Sequence, residues 1–279
     1  MEKTAKAYAK INLSLDITGV LPNGYHSVNT VMAKTDLHDV VTIKTGRGEI
    51  KLACSDALVP CDEKNTAYRA AEYYFEEAGL LPDAQIYIEK SIPSQAGLGG
   101  GSADAAAVLL MLNEMHGFEL PREKLLEIAL KIGADVPFMV EGPVALCLDI
   151  GQILAPLPRI DAFVVMAKPE SGVSTAEAYA AFDSGKALKH PENELVLYHF
   201  ARGEAKKALS HSLNLFEQLC FIPEGENIKS VMKRNGAFYA ALSGSGSAYF
   251  GLFDSAVDAE KAACELRNCA RFVYSGKLI

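Results

Sequence analysis

The chain has 279 residues, with 27 lysines and arginines against 35 aspartates and glutamates, for a formal net charge of −8. Its 49% hydrophobic and 22% charged residues exclude intrinsic disorder and collagen-like repeats. No apolar run reaches the roughly 18 residues of a membrane span, and no basic stripe of the nucleic-acid-binding kind is present.

The start, Met1-Glu2-Lys3-Thr4, leads into alternating polar and apolar residues, so no secretory signal is expected. At roughly 100–200 residues per domain the length allows one large domain or two modest ones. The six cysteines are scattered without a C-x-x-C pair, which favours reduced thiols in a cytoplasmic protein. Neither an H-E-x-x-H nor a Cys/His cluster with zinc spacing occurs.

From Ala7 to Ile17 the odd positions are apolar and the even ones polar or amphipathic. That is the period of a strand with one buried face. Pro22-Asn-Gly24 predicts a turn, and Tyr25–Met32 resumes an extended pattern. Asp39–Thr45 and Glu49–Cys54 read as a hairpin around Gly46-Arg-Gly48. Asn65 is an N-cap for a helix to about Ala78, with Gly79 as its stop. Gln85–Lys90 alternates like a strand, and Ala105–Leu112 is apolar all round, as a buried helix is. Pro121 opens a helix over Arg122–Ile132 that Gly133 closes.

Strands follow at Gly142–Ile150 and Ile160–Ala167, a short helix at Thr175–Phe182, and several helical segments between Asn193 and Asn235. Ala237–Leu242 and Tyr249–Phe253 are strands, Ser255–Leu266 is a helix with Ser255 and Asp258 at capping-box spacing, and Arg271–Tyr274 is a last strand. This order suits a ferredoxin-like α+β layer. The Pro156–Pro158 region is the candidate domain boundary.

Four glycines in five residues, Gly97, Gly99, Gly100 and Gly101, give up backbone entropy that a plain connection would keep. They open the helix that carries Ser102 and Asp104, and a helix N-terminus attracts phosphate. A Walker A loop is excluded because no G-K-[ST] follows, and a Rossmann turn because the third glycine is missing. Asp135, between Gly133 and Pro137, is expected in an extended segment just past a helix. A carboxylate there can take a proton from a hydroxyl. Lys10 and Asn12 lie on the polar face of the first strand. Tyr25-His26 offers an aromatic ring beside an imidazole. Ser243-Gly-Ser-Gly-Ser247 is a second small-residue loop, read either as a plain hairpin or as a cover for a ligand on the first.

Pro93-Ser-Gln-Ala-Gly-Leu-Gly-Gly-Gly-Ser-Ala-Asp-Ala-Ala106 resembles the central signature of the GHMP small-molecule kinases, named for galactose, homoserine, mevalonate and phosphomevalonate. Ala9-Lys-Ile-Asn12, Pro22-Asn-Gly-Tyr-His26, Gly133-Ala-Asp-Val-Pro137 and Leu242-Ser-Gly-Ser-Gly246 narrow the match to a branch whose alcohol substrate carries a cytidine diphosphate. The resemblance runs from Lys10 to Gly246. It implies an α+β fold of two domains, residues 1–155 with a left-handed βαβ unit and residues 156–279 ferredoxin-like, with ATP and substrate in the cleft between the domains.

It further implies an ATP-dependent phosphotransferase with an alcohol acceptor, placed in the non-mevalonate route to isoprenoid precursors. Asp135 matches the catalytic carboxylate and Lys10 its partner. Pro93, Ser94, Gln95, Ala96, Gly97, Leu98, Gly99, Gly100, Gly101, Ser102 and Ala103 match the ATP-phosphate loop, with Asn65 contributing to the adenosine pocket. Asn12, Tyr25 and His26 match residues that hold the cytidine diphosphate end. Tyr179 matches an aromatic that sandwiches the cytosine against Tyr25, and Gly244 and Ser245 of the second loop are placed on the substrate side. Magnesium is expected to arrive with ATP, with Ser102 as a candidate ligand and Asp104 acting through water or stabilising its helix. The expected partners are ATP and a cytidine-diphosphate-linked methylerythritol, with no nucleic-acid polymer and no membrane. The rival readings are a homoserine or mevalonate kinase of the same family and a nucleotide-binding relative that has lost catalysis. The oligomeric state is not legible.

Overall fold

The computed structural model describes residues 1–22, 24–185 and 187–279, which gather into two compact units. The first holds Met1–Ala9, Leu37–Ile92 and Gly99–Gly142; the second holds Lys10–Asp36, Pro93–Leu98 and Pro143–Ile279. Two long strands, β1 (Glu2–Val20) and β2 (His26–Lys44), give residues to both units. Asn23, in the expected turn between them, lies outside the described residues. The N–H of Gly24 donates to the carbonyl of Leu21 at 2.9 Å.

In the first unit, β3 (Ile50–Cys54), α1 (Thr66–Ala78) and β4 (Ala84–Glu89) form a βαβ unit whose strands are parallel. β4 is also antiparallel to β2, with Val40 opposite Glu89 and Lys44 opposite Gln85. It therefore sits between β2 and β3, and the hairpin expected around Gly46-Arg-Gly48 does not form. The reason is local. The Asp83 carboxylate accepts the N–H groups of Gly46, Arg47 and Gly48 at 2.7–3.0 Å. Those donors thus turn toward the start of β4 instead of closing a two-strand turn.

Asn65 caps α1 as expected, its side chain accepting from the Ala67 N–H at 2.8 Å. Gly79 ends the helix at φ +66°, a left-handed conformation open to glycine. α2 (Gly100–Met115) buries residues on every side, which is why its apolar residues show no single stripe. α3 (Arg122–Ile132) begins and ends where Pro121 and Gly133 predict.

One expectation fails here. Asp135 is not in an extended segment: it has φ −82° and ψ −16° and stands at the start of a further helix, α4 (Val136–Glu141). Pro137 lies in the first turn of α4, where its missing N–H costs nothing. It therefore opens a helix instead of holding Val136 extended.

In the second unit, β5 (Val144–Asp149) pairs antiparallel with the first half of β2, and β6 (Ile153–Pro156) pairs with β5. β7 (Phe163–Lys168) is followed by α5 (Thr175–Asp183), α6 (Asn193–Ala201), α7 (Ala205–Ser210), a 3-10 turn at Leu215–Gln218 and α8 (Gly225–Arg234). β8 (Tyr239–Leu242), β9 (Tyr249–Phe253), α9 (Ala256–Leu266) and β10 (Phe272–Lys277) complete the chain.

The four-stranded sheet has the order β10-β7-β9-β8, all neighbours antiparallel. Counted along the chain that is fourth, first, third, second, the ferredoxin-like arrangement. Val165, Ala167 and Phe253 of the sheet pack with Ile228, Met232, Ala259 and Leu266 of α8 and α9 in one apolar core. The six cysteines are all free thiols. Among the described residues no helix is long and apolar enough to cross a membrane.

Candidate active site

Alternation along β1 predicts one buried face, and the structure buries both. Ala9, Ile11, Leu13 and Leu15 are covered, and so are Lys10, Asn12, Ser14 and Asp16, each 2–3% exposed. A buried ammonium and carboxylate must find partners or leave the interior, and the partners are specific. Lys10 Nζ donates to Asn12 Oδ1 at 2.6 Å, Asn12 Nδ2 donates to Thr30 Oγ1 at 2.9 Å, and Thr30 Oγ1 donates to the Ser14 carbonyl at 2.7 Å. Asn12 thus fixes the direction of the Lys10 ammonium. Asp16 takes Nδ1 of His190 and Nδ2 of Asn193 at 2.6 Å each.

The glycine-rich segment begins in the second unit, where its carbonyls are tied down one after another. Ala248 N–H donates to the Ala96 carbonyl at 3.0 Å, Ser243 Oγ to the Gly97 carbonyl at 3.0 Å, and Lys10 N–H to the Leu98 carbonyl at 2.9 Å. Gly97 has φ +73°, and a Cβ there would meet the Ser243 carbonyl oxygen at 2.0 Å. No side chain fits.

The second small-residue loop is therefore no plain hairpin turn, because it packs on the backbone of the first. A Cβ on Gly244 would stand 3.3 Å from Gly97 Cα and 3.5 Å from Lys10 Nζ. Asn214 holds this loop in place, its Nδ2 donating to the carbonyls of Leu242 and Gly244 at 2.8 Å each. Ser245 Oγ meets Thr175 Oγ1 at 2.9 Å, which links the loop to α5.

At another point of the same unit the His26 ring stacks on Tyr179, with centroids 4.5 Å apart and planes 27° apart. His26 Nε2 lies 2.8 Å from Asp183 Oδ1, and Tyr179 meets Phe216 edge-on. α5 carries both Tyr179 and Asp183, and the reciprocal capping box of Ser174 and Glu177 starts it. Hydrogen bonds from the Ser174 backbone and hydroxyl hold the Glu177 carboxyl below the usual glutamate range. Tyr25, just ahead of β2, is 63% exposed.

In the first unit, Gly99 at φ +70° precedes α2. The N–H groups of Gly100, Gly101 and Ser102 belong to the first helical turn, which has no intrahelical partners for them. The helix start is closely packed. A Cβ on Gly100 would lie 3.1 Å from Ile92 Cγ2, one on Gly101 would lie 3.1 Å from Thr66 Oγ1, and Thr66 Oγ1 donates to the Gly101 carbonyl at 2.7 Å.

Asp104, one turn further on, is not a first-turn acid. It joins a buried triad, with Lys90 Nζ donating to Asp104 Oδ2 at 2.7 Å and to Asp39 Oδ2 at 2.5 Å. Burial pushes the Asp104 carboxyl up to about 7 against the pull of Lys90. Burial works to lower Lys90, but the two carboxylates outweigh it and hold the ammonium above the usual lysine range. Asp104 Oδ1 is buried with no hydrogen-bond partner among the described residues. Asn65 spends Oδ1 on its cap and donates Nδ2 to the Pro60 carbonyl at 2.7 Å. Asp135 is half-buried, and its carbonyl accepts the Met139 N–H at 3.1 Å.

Several residues of these networks carry no mark in the sequence. Asp16 had one available signal, as the fourth member of the polar series Lys10, Asn12, Ser14, Asp16. Thr175 and Asn214 had none: Thr175 stands beside the capping Ser174, and Asn214 is an extended residue just ahead of the 3-10 turn. Asp39 and Lys90 stand far apart in the chain and meet only once β4 lies beside β2.

The model of the GHMP kinases N terminal domain matches residues 65–143 and that of the GHMP kinases C terminal matches residues 199–271. A curated protein of Clostridium botulinum (strain Eklund 17B / Type B), named 4-diphosphocytidyl-2-C-methyl-D-erythritol kinase, is 40% identical over 259 residues, 92% of this chain and 92% of its own length. Its namesake in Clostridium beijerinckii is 37% identical over 277 residues, 98% of this chain and 99% of its own. A crystal structure of 4-(cytidine 5'-diphospho)-2C-methyl-D-erythritol kinase superposes with a TM-score of 0.83 at 34% identity, covering 99% of both chains. A homoserine kinase from Cytophaga hutchinsonii superposes with a TM-score of 0.75 at 18% identity, covering 99% of this chain and 95% of its own, a likeness of fold alone.

Proposed function

The chain belongs to the GHMP kinases, and on that premise we propose that it transfers the γ-phosphate of ATP to the 2-hydroxyl of 4-diphosphocytidyl-2-C-methyl-D-erythritol. The observation that carries the reading is 40% identity, over 92% of both chains, to a relative named for that activity. The reaction is a step toward isoprenoid precursors that does not pass through mevalonate.

Phosphoryl transfer demands positioning and compensation of spread negative charge more than covalent help. Asp135 is the group that accepts or orients the proton of the substrate hydroxyl. Lys10, aimed by Asn12, stabilises charge that builds up in the transition state. The segment Pro93–Ala103 cradles the ATP phosphates, a role supported by the Ala96, Gly97 and Leu98 carbonyls being engaged elsewhere while the first turn of α2 presents N–H donors. Asn65 borders the adenosine with the Nδ2 hydrogen its cap leaves over. Asn12, Tyr25, His26 and Tyr179 hold the cytidine diphosphate end, and Gly244 and Ser245 flank the substrate. The ring stack supports a planar base as guest.

Among the described residues no group of three or more His, Cys, Asp or Glu is placed to hold a metal ion, and Oδ2 of Asp104 is bound by Lys90. Magnesium would arrive on the ATP phosphates, which supply most of its oxygens, with Ser102 as the candidate protein ligand. Bound there, the ion neutralises phosphate charge. Residues 1–155 and 156–279 are the proposed domains, although β6 runs across that boundary.

ADP release with the cytidylated methylerythritol, homoserine and mevalonate as parallel acceptors tests the reading. Turnover should be confined to the first. Turnover with another acceptor instead would sink the substrate assignment, and ATP binding without any turnover would mark an inactive relative.

A further inference from the structure

Asp39, Lys90 and Asp104 are almost wholly enclosed, their side chains 0%, 9% and 4% exposed. The triad is an unfavourable choice as a device for stability alone. Two carboxylates and an ammonium lose their hydration, and apolar residues of the same volume commonly serve stability as well or better. The lysine also stands at the positive end of a helix, since a Cβ on Gly100 would come within 3.4 Å of its Nζ. Taken by itself that placement is repulsive.

What the triad does provide is direction, at both ends of one segment. Asp39 Oδ1 accepts the N–H groups of Ser91 and Ile92 at 2.5 and 2.8 Å, the two residues before Pro93. Lys90 carries the connection to Asp104, one turn into the helix after the glycines. Ile92, fixed in this way, is the residue against which Gly100 packs.

We propose that Asp39, Lys90 and Asp104 are positioning residues, a buried clamp that joins the residues entering the glycine-rich segment to the helix leaving it and so sets where the N–H groups of Gly99–Ser102 stand for the phosphates of ATP. The inference rests on the segment being the ATP-phosphate cradle. None of the three touches the nucleotide in this scheme; they act through the backbone.

The test is the affinity of the full-length protein for a non-hydrolysable ATP analogue with magnesium, measured without the alcohol. It is paired with KM for each substrate and a thermal melt. Asp104→Ala should weaken analogue binding and raise KM for ATP by about 10-fold, the loss of one charge-assisted hydrogen bond. KM for the cytidylated alcohol should stay within about twofold. Asp104→Asn, whose side-chain oxygen still accepts from Lys90, should recover most of the affinity.

Unchanged analogue affinity in folded Asp104→Ala overturns the clamp. So does an equal rise in both KM values, or an Asn variant no better than Ala. Should Asp104→Ala not fold, Lys90→Arg keeps the charge but moves the donors, and wild-type affinity in that variant overturns the clamp as well. A wild-type protein that binds the analogue but does not turn over the cytidylated alcohol defeats the substrate reading and leaves the clamp standing.

Discussion

Around Lys10 the second unit is held together by backbone: three successive carbonyls of the glycine-rich segment are tied to Ala248, Ser243 and Lys10, and Gly97 leaves no room for a methyl group. Around His26 it is held by ring faces: His26 on Tyr179, Tyr179 on Phe216, with Asp183 at the imidazole edge. The first arrangement has no slack, which suits a reaction in which a displacement of about 1 Å costs on the order of 100-fold. The second is worth about 0.5–1.5 kcal/mol per ring pair, little enough for a planar guest to replace one partner. On the proposed assignment of Lys10 to the chemistry and His26 to recognition, the two are built with different stiffness.

The sharpest way to break this contrast is Gly97→Ala. The clash with the Ser243 carbonyl at 2.0 Å and the φ of +73° predict a loss of about 3 kcal/mol or more in urea unfolding. ATP affinity should fall with it. The control is Gly46→Ala, where φ is +110° but nothing lies within 4 Å, so only backbone strain of about 1–2 kcal/mol remains. Equal costs at the two glycines would remove the case for a rigid phosphate end.

Next in size is Asp135→Asn, expected to lower turnover by about 100-fold or more with an unchanged melting temperature. Near-normal turnover in a folded variant would strip Asp135 of its role with the proton.

At the recognition end the effects should be gentler. Tyr179→Ala is expected to raise KM for the cytidylated alcohol by about 10-fold, one ring contact's worth, while KM for ATP stays as it was. A shared rise would mean that the stack supports the whole unit and not the guest.

Smallest is Ser174→Ala, which removes the cap of the helix carrying Tyr179. It should cost about 1 kcal/mol, a shift of about 2–4 °C in Tm. Glu177 is held below its ordinary pKa of 4.5 by the Ser174 bonds. A depressed carboxyl contributes above its unfolded pKa and loses that contribution as pH falls through the folded one. Alanine keeps the residue-174 N–H that is the larger cause and loses only the hydroxyl, so the gap between variant and wild type should narrow only slightly as pH falls below 4.5. A gap that widened in acid would show that the box is not what stabilises α5.

Much of this architecture is legible in the sequence because it is written in local patterns. Asn65 and Gly79 bound α1, Pro121 and Gly133 bound α3, and the glycine run announces itself by composition. The order of strands and helices after Ile160 suffices for the ferredoxin-like layer. The failures share a cause: each depends on what a neighbouring segment does. Gly46-Arg-Gly48 reads as a hairpin until Asp83 claims its three N–H groups. Pro137 reads as a restriction on Val136 until the helix beyond it is seen to begin there. The even positions of β1 look like a solvated face, and their burial is visible only when Thr30, His190 and Asn193 arrive from elsewhere in the chain. Local patterning marks where the chain turns; it does not mark which distant group it turns toward.

The position of β4 between β2 and β3 also has a cost in time. β3 is complete at Cys54, yet its parallel partner is not complete until Glu89, roughly 35 residues later, about 2–7 s of synthesis at ordinary ribosomal speeds. Until then β3 and the far half of β2 each present an unpaired edge, the kind of surface that recruits foreign strands. A nascent chain has to keep that slot vacant through the interval, and the strand that fills it closes both edges at once.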